Sequence, residues 1–529
     1  MLIYHIDLKR PMWRMEYLIE YGQRLSDLGY SHVLLEVEDK FCFTRHPTIN
    51  HPDAFGHEEY QVLKENYRNI GLEIIPLWQT LGHASAIVGK PEFAHLREQE
   101  SVNDQYDPTS EEAQLLLTEL LDELIDVLRP EEFIHLGGDE TRNLAKSEKL
   151  QRLVSEIGKG EIYLRHMLPL LEHIRKRGLK PIIWADMILT YPEILKKLPK
   201  WVILIEWDYF SSCERVENIR VWGHGFYNIH TMKSLQEGKA RKLVEKYAID
   251  AQTRRDGLFR GFFYADALND MGFKVIIASA NRCFGDSVGT PNNKMHLPNA
   301  YFAGRKSKDL FGTCLASWAV RHNHPNTHWP ANFIAAAGYK ENNETYEERT
   351  LIESFTECFF GVRLPDFYDV IKKGCITWDY AQAYWFPARI EALKKGENPF
   401  APDIKELGGE HNCSSLAHKK LMSVREGYIE ALVAIVACID SAKKNNHYLF
   451  YWREGIEYNL FHVDCILAFL VNDNTIATTL LQRLKQLKSN TEKLFRETYE
   501  PNGVEEELNL RYSFFEQLLS QSNPNDKKG

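Results

Sequence analysis

The sequence predicts an α/β protein, a (β/α)8 TIM barrel followed by a mainly α-helical C-terminal region. Three observations carry this expectation. Short apolar runs recur through the first 345 residues, amphipathic stretches separate them, and beyond that point the alternation stops. The 529 residues suit a barrel of about 250 residues or more with an appendage. The division expected is a catalytic barrel over 1–345 and a helical domain over 346–529.

The strands expected in order are "LIYHID" (2–7), "HVLLEVE" (32–38), "EIIPLWQ" (73–79), "EFIHLG" (132–137), "KPIIWAD" (180–186), "VILIEWD" (202–208), "KVIIASA" (274–280) and "GTCLASW" (312–318). Between them, "WRMEYLIEYGQRLSDLGY" and "EEAQLLLTELLDELIDVLR" space apolar residues by three and four with charges between, as crossover helices do. The region 209–260 is long and irregular, with room for an extra element. An open doubly wound sheet is the alternative, but it calls for a glycine-rich turn after the first strand, and "HIDLKRP" has none. After residue 345, three long helical stretches begin at "LAHKKLMSV", "YWREGIEYN" and "TIATTLLQR". The polar "KKGENPFAPDIKELGGEHN" (394–412) reads as a loop among them.

Apolar residues make up 44% and charged residues 26% of the chain, enough to bury a large core. A net charge of −10 with both signs interspersed argues against a nucleic-acid partner, which would call for a basic stripe. The opening "MLIYHIDLKRPMW" lacks the pattern of a signal peptide, and no run approaches the ~20 apolar residues of a membrane span. A cytoplasmic protein without a membrane partner is expected. Nine scattered cysteines with no C-x-x-C pair fit free thiols better than a disulfide frame.

In such a barrel the active site lies at the C-terminal ends of the strands. Polar residues gather there: Asp7, Lys9 and Arg10 after the first strand, Glu38 and Asp39 after the second, Gln79 and His83 after the third. The fourth gives His135, Asp139 and Glu140, and three later strands end in Trp184, Trp207 and Trp318. Aromatic faces pack on the C–H faces of sugar rings while carboxylates bind hydroxyls, so carbohydrate is the natural ligand. Each residue also has a plainer reading. Tryptophans belong to cores, Asp7 and Asp186 cap helices or pair with bases, and His5 and His135 suit hydrogen-bonded core positions. His322, His324 and His328 in "RHNHPNTHW" match no standard metal-ligand spacing.

The adjacent Asp139 and Glu140 carry more. Two like charges past a buried strand repel, and burial raises at least one pKa. Neighbours on an extended strand point to opposite faces, so both serve one site only if the chain bends, which Gly137 and Gly138 permit.

"HLGGDE" followed by Thr141 resembles the H-x-G-G-D-E signature of glycoside hydrolase family 20, the β-N-acetylhexosaminidases. "HIDLKR", "LLEVEDKF", "PLWQTLGH", "IIWADMI" and "LIEW" agree in order, and the combination looks most like the hexosaminidase D branch over about residues 1–340. The resemblance implies retaining exo-hydrolysis of terminal β-linked N-acetylgalactosamine or N-acetylglucosamine, assisted by the substrate's own 2-acetamido group and passing through an oxazolinium intermediate. It implies Glu140 as general acid and base and Asp139 as the partner of the acetamide N–H. It also implies substrate binding by Arg10, Asp39, His83, Trp184, Trp207, Trp318 and Asp286, with no metal or organic cofactor.

Two departures stand out. The family commonly has Tyr-x-Asp after strand seven, its tyrosine holding the acetamide oxygen, where "ANRCFGDSV" gives Phe284 and Asp286. Phenylalanine cannot make that bond, so another donor serves or the alignment shifts. Val320, followed by Arg321, stands where many members have a sugar-reading acid, which leaves gluco against galacto preference open. The competing readings are a metal-dependent barrel hydrolase and an inactive amino-sugar-binding protein. A homodimer is possible through exposed helical surfaces.

Overall fold

The computed structural model describes residues 1–283, 285–320, 322–340, 345–376, 382–407, 415–470 and 477–521. Eight parallel strands close a barrel: β1 (Leu2–Asp7), β2 (His32–Glu36), β3 (Glu73–Leu77), β4 (Phe133–His135), β5 (Lys180–Trp184), β6 (Ile203–Trp207), β7 (Lys274–Arg282) and β8 (Gly312–Ser317). They follow one another around the ring in chain order, and β8 closes on β1 with Leu2 opposite Thr313. These are the eight apolar runs of the sequence. β1 is buried along its whole length, as a parallel strand flanked by helices must be.

The crossover helices form for local reasons. Met15–Leu28 buries Tyr17, Leu18, Tyr21 and Leu25 on one face and stops at Gly29, whose φ of 88° suits only glycine well. In Glu111–Leu128 the Ser110 side chain accepts the Ala113 amide at 3.1 Å, and Glu111 and Glu112 sit at the positive end of the dipole. Removing that cap costs about 1 kcal/mol.

The irregular stretch after β6 holds extra elements. Ile219–Val221 and Gly225–Tyr227 pair antiparallel, and Phe259–Arg260 pairs with Arg215–Val216. Beyond the barrel, the described residues are helical from Glu348–Phe360 to Pro501–Gln521. Within the expected loop 394–412 lies a short helix, Ala401–Glu406, and 408–412 fall outside the described residues. The helix is held because buried Asp403 meets buried Arg389 at 2.6 Å, a tertiary contact that local composition does not encode.

Two late helices brace the loops after β7 and β8. Gly289 and Gly455 approach so closely that a Cβ on either would lie 2.0 Å from the other's carbonyl oxygen. Asn459 accepts from the Gly289 amide at 3.1 Å and donates to Ser287 Oγ at 2.8 Å. Arg511 donates to Glu454 at 2.7 Å and to the carbonyls of His322 and Val288 at 2.6 and 3.2 Å. Asn459 and Arg511 thus find partners across the barrel boundary, and Glu454 on the neighbouring helix holds the Arg511 guanidinium in place. No described helix is long and apolar enough to cross a membrane.

Candidate active site

The site begins where β4 ends. The chain leaves the sheet at Gly137 and Gly138, both with positive φ (61° and 85°), and His135 Nδ1 accepts the Gly137 amide at 2.9 Å. Side chains are excluded there on two counts. A Cβ at Gly137 would fall 2.0 Å from Gln79 Oε1, and one at Gly138 2.8 Å from the Tyr163 hydroxyl. Glu140 is itself left-handed (φ 44°), a conformation that costs a non-glycine residue about 1–2 kcal/mol. Its N–H is caught by the Asp186 carboxylate at 2.9 Å, which offsets the strain. This double bend puts both carboxylates on one cleft.

There the two acids share a cation. His83, also left-handed (φ 54°), places Nε2 3.3 Å from Asp139 Oδ2 and 3.6 Å from Glu140 Oε2. Burial disfavours its imidazolium, but the two carboxylates outweigh that and raise its pKa well above the usual histidine value. Glu140 is raised by burial and lowered more by His83 and Arg142, ending at about 2. Arg142 Nη2 lies 2.7 Å from Glu140 Oε1 and is largely exposed. Asp186, buried beside Asp139, is pushed up to about 7. Asp139 Oδ1 is buried and accepts no hydrogen bond from the described residues.

Around the acids runs a cleft of about 720 Å³ walled by Trp207, Tyr209, Phe210, Trp318 and Val320. Trp184 lies fully buried against Trp318, ring centroids 5.6 Å apart, with His135 on its other side at 4.7 Å. Trp318 Nε1 donates to the Tyr209 hydroxyl at 3.0 Å, and Tyr209 packs on Trp207 at 5.1 Å. One continuous aromatic wall results.

The structure thus gathers Asp139, Glu140, His83, Trp207 and Trp318 on the cleft, with Trp184 behind it. Three expected residues are elsewhere. Arg10 is exposed and lines a second cleft with Asp39, His51 and Glu506, on the side facing the C-terminal helix. Lys9 takes the inward place, its Nζ 2.6 Å from Glu38 Oε1 and on the first cleft. The reason is the left-handed Glu38 (φ 43°), which turns its own carboxylate inward and Asp39 outward onto Lys40. Burial and nearby Glu36 raise Glu38 to about 7 although Lys9 opposes them. Asp286 is the third. Its Oδ1 meets His296 Nε2 at 2.6 Å and the Asn292 amide at 2.8 Å, and its Oδ2 meets Asn323 at 3.0 Å and the Cys283 amide at 3.2 Å. A carboxylate with four partners has nothing left for a sugar. Phe284 and Arg321 lie outside the described residues.

Several other polar residues at the strand ends are engaged by the framework, Asp7 by backbone amides rather than as a helix cap or an ion pair. Asp7 accepts the amides of Lys9 and Ala319 at 2.8 Å each. His5 meets Glu36 at 3.1 Å. His322, His324 and His328 each face a different partner, Glu507, Thr498 and Asn323. Sequence reasoning missed Tyr209 and Arg220. Tyr209 stands two residues past Trp207, so strand-end position was its signal. Arg220 rides on the hairpin after β6, and nothing in its neighbourhood of sequence marks it.

Residues 25–233 match the family model described as "Glycosyl hydrolase family 20, catalytic domain". That span includes Asp139, Glu140, His83, Trp184 and Trp207 but not Trp318. Bovine hexosaminidase D is 29% identical over 222 residues, covering 40% of this chain and 64% of that protein. Human hexosaminidase D is 28% identical over 222 residues, covering 40% and 46%. The chain therefore spans less than two thirds of either relative. Among solved structures, Flavobacterium johnsoniae chitobiase is similar with a TM-score of 0.48 and 14% identity, over 91% of this chain and 74% of that one. The β-N-acetylhexosaminidase from Bacteroides fragilis gives 0.45 and 15%, over 65% and 67%. With the "HLGGDE" bend at β4 and the family match over it, residues 25–233 of this chain are similar to the catalytic domain of glycoside hydrolase family 20, and the curated relatives they resemble are hexosaminidases D.

Proposed function

We propose that the chain is a retaining exo-β-N-acetylhexosaminidase that uses the substrate's acetamide as its nucleophile. One observation carries the reading: Asp139 keeps a buried carboxylate oxygen without a donor, beside an aromatic wall and next to Glu140. Buried acceptors are rarely left unpaired, and an amide N–H folded under a sugar ring is the donor that fits. Tyr209 complements it. Its oxygen already accepts from Trp318, so its own proton is available to the amide carbonyl, within reach of the Asp139 charge. An amide gripped at both ends in this way is held for attack, and well-oriented intramolecular nucleophiles reach effective molarities of about 10⁵ M or more.

The carbonyl oxygen attacks the anomeric carbon as the bond to the leaving oxygen breaks, and that oxygen receives a proton from Glu140. Asp139 stabilises the positive charge that develops on the acetamide. The proton is stored on His83, which both carboxylates face, and Glu140 donates it once substrate displaces the exposed Arg142. Water then adds to the anomeric carbon, gives its proton back through Glu140, and opens the ring with retention. Lys9 and Glu38 take the sugar hydroxyls in place of Arg10 and Asp39. Val320 adds an apolar patch to the wall.

The test is release of 4-nitrophenol from the β-N-acetylglucosaminide, the β-N-acetylgalactosaminide and the β-glucoside in parallel. Cleavage confined to the two acetamido sugars is expected, and their ratio gives the preferred configuration. Cleavage of the glucoside at a comparable rate overturns the reading.

A further inference from the structure

The cleft that holds Glu140 is also lined by Arg220, Phe210 and Phe226. Arg220 lies on the hairpin after β6, opposite Phe226 in the register. Alternation along this strand buries Ile219 and Val221 on one side and turns Arg220 to the cleft on the other. Its guanidinium is stacked among aromatic rings, with Cζ 4.0 Å from the Trp222 centroid, 4.9 Å from Trp207, and 5.8 Å from both Phe210 and Phe226. Such rings hold the flat faces of an arginine and leave its edge, where the N–H groups point.

That edge is unclaimed. Among the described residues the Arg220 side chain makes no hydrogen bond and no ion pair, although Glu140, Asp186 and Asp208 are close enough for their charges to be felt. The side chain is only partly exposed, so an oxyanion entering the cleft would meet donors that no protein acceptor occupies and that the surrounding rings already hold in place. Beside it, Phe226 is 54% exposed, and Phe210 meets it edge to face at 5.0 Å. A half-exposed aromatic pair next to an unpaired guanidinium offers a platform for a second ring and a fork for an oxyanion on it.

Position decides which part of the substrate this would be. Glu140 marks the glycosidic oxygen, and the acetamide side is taken by Asp139, Tyr209 and Trp318. We propose that Arg220, with Phe210 and Phe226, forms a leaving-group subsite for a sugar that carries an oxyanion, either a uronic carboxylate or a sulfate ester. This rests on the hexosaminidase reading of the same cleft. Arg142 adds a second positive charge at the same rim.

The experiment compares kcat/KM for three disaccharides with the same non-reducing N-acetylhexosamine, β-linked to glucose, to glucuronate and to 6-sulfated glucose. The wild-type protein should prefer an acidic acceptor by about tenfold or more, the scale of one charge-assisted hydrogen bond. The preference should shrink as salt is raised. The glucuronate and sulfate arms tell the two sources of the oxyanion apart. Arg220→Gln should bring the acidic-to-neutral ratio close to one whatever happens to the absolute rates, and Arg220→Lys should keep part of it. A role confined to anchoring the hairpin would change all three rates together. Equal rates on all three substrates in the wild type overturn the inference and leave the hexosaminidase reading intact. Should no N-acetylhexosaminide be cleaved, that reading fails, and calorimetric titration of the same disaccharides decides the subsite. Tighter binding of an acidic one then supports it, and equal binding overturns it.

Discussion

The ends of β4 and β7 both carry an acid just past a buried strand, and the two acids have opposite fates. Asp286 spends its carboxylate on His296, Asn292, Asn323 and Cys283 and so ties down the loop after β7. Asp139 keeps one oxygen unpaired on the cleft, where its neighbour Glu140 is held in a strained conformation. A strand-end position makes an acid a candidate. What separates the two is whether the carboxylate's hydrogen-bonding capacity is already used.

The comparison can be broken by substitution. Glu140→Gln should cost most, about 10²–10⁴-fold in kcat on a disaccharide, with a clearly smaller loss on a 4-nitrophenyl glycoside that needs little protonation. Equal losses on both would remove its role as acid. Asp139→Asn should lower kcat by about 10²-fold with little change in KM, because its partner charge develops in the transition state. Asp286→Asn should do the reverse, reducing stability by about 1–3 kcal/mol in denaturant melts while the folded fraction keeps its kcat. If Asp286→Asn lowered kcat and left stability alone, the two strand ends would not differ as described.

A subtler effect concerns pH. His83 has its pKa raised above the usual value by two carboxylates. Its ion pairs therefore stabilise the fold fully below about pH 6.5 and are lost as pH rises through the raised value. The stored proton is lost over the same range, so kcat/KM should fall on the alkaline side. His83→Gln should move that limb to lower pH, and an unmoved limb would mean that the proton is stored elsewhere. The smallest effect is expected at Asp186. Raised to about 7, it contributes stability that is full below about pH 4 and is lost as pH climbs through 7. Asp186→Asn keeps an acceptor for the Glu140 amide and should flatten stability across that window, as thermal melts at pH 5 and 8 would read.

Much of this was legible in the sequence, for physical reasons. Parallel strands buried on both faces read as continuous apolar runs, so all eight were visible in order. "HLGGDE" was legible because only a glycine pair allows the bend that two adjacent carboxylates need. The placement of Arg10 and Asp39 on a second cleft was not legible, because a left-handed Glu38 exchanges inward and outward positions by one residue, and a non-glycine residue gives no warning of positive φ. The ties of Asp286 were not legible because they reach residues 283, 292, 296 and 323, which only the fold brings together. Arg220 was invisible because its cage is assembled from Trp207, Phe210, Trp222 and Phe226 across a hairpin. The short helix at Ala401–Glu406 was missed in the same way, through the buried Arg389–Asp403 pair.

The central claim is that the substrate's acetamide is the nucleophile and Asp139 its anchor. The most direct measurement is kcat/KM on aryl β-glycosides whose N-acyl group is acetyl, fluoroacetyl, difluoroacetyl and trifluoroacetyl in turn. Each fluorine withdraws electron density from the carbonyl oxygen while changing its size little, so the account predicts a steep, progressive fall in rate along the series. A flat series would mean that the carbonyl oxygen does not attack, and that some other group serves as the nucleophile.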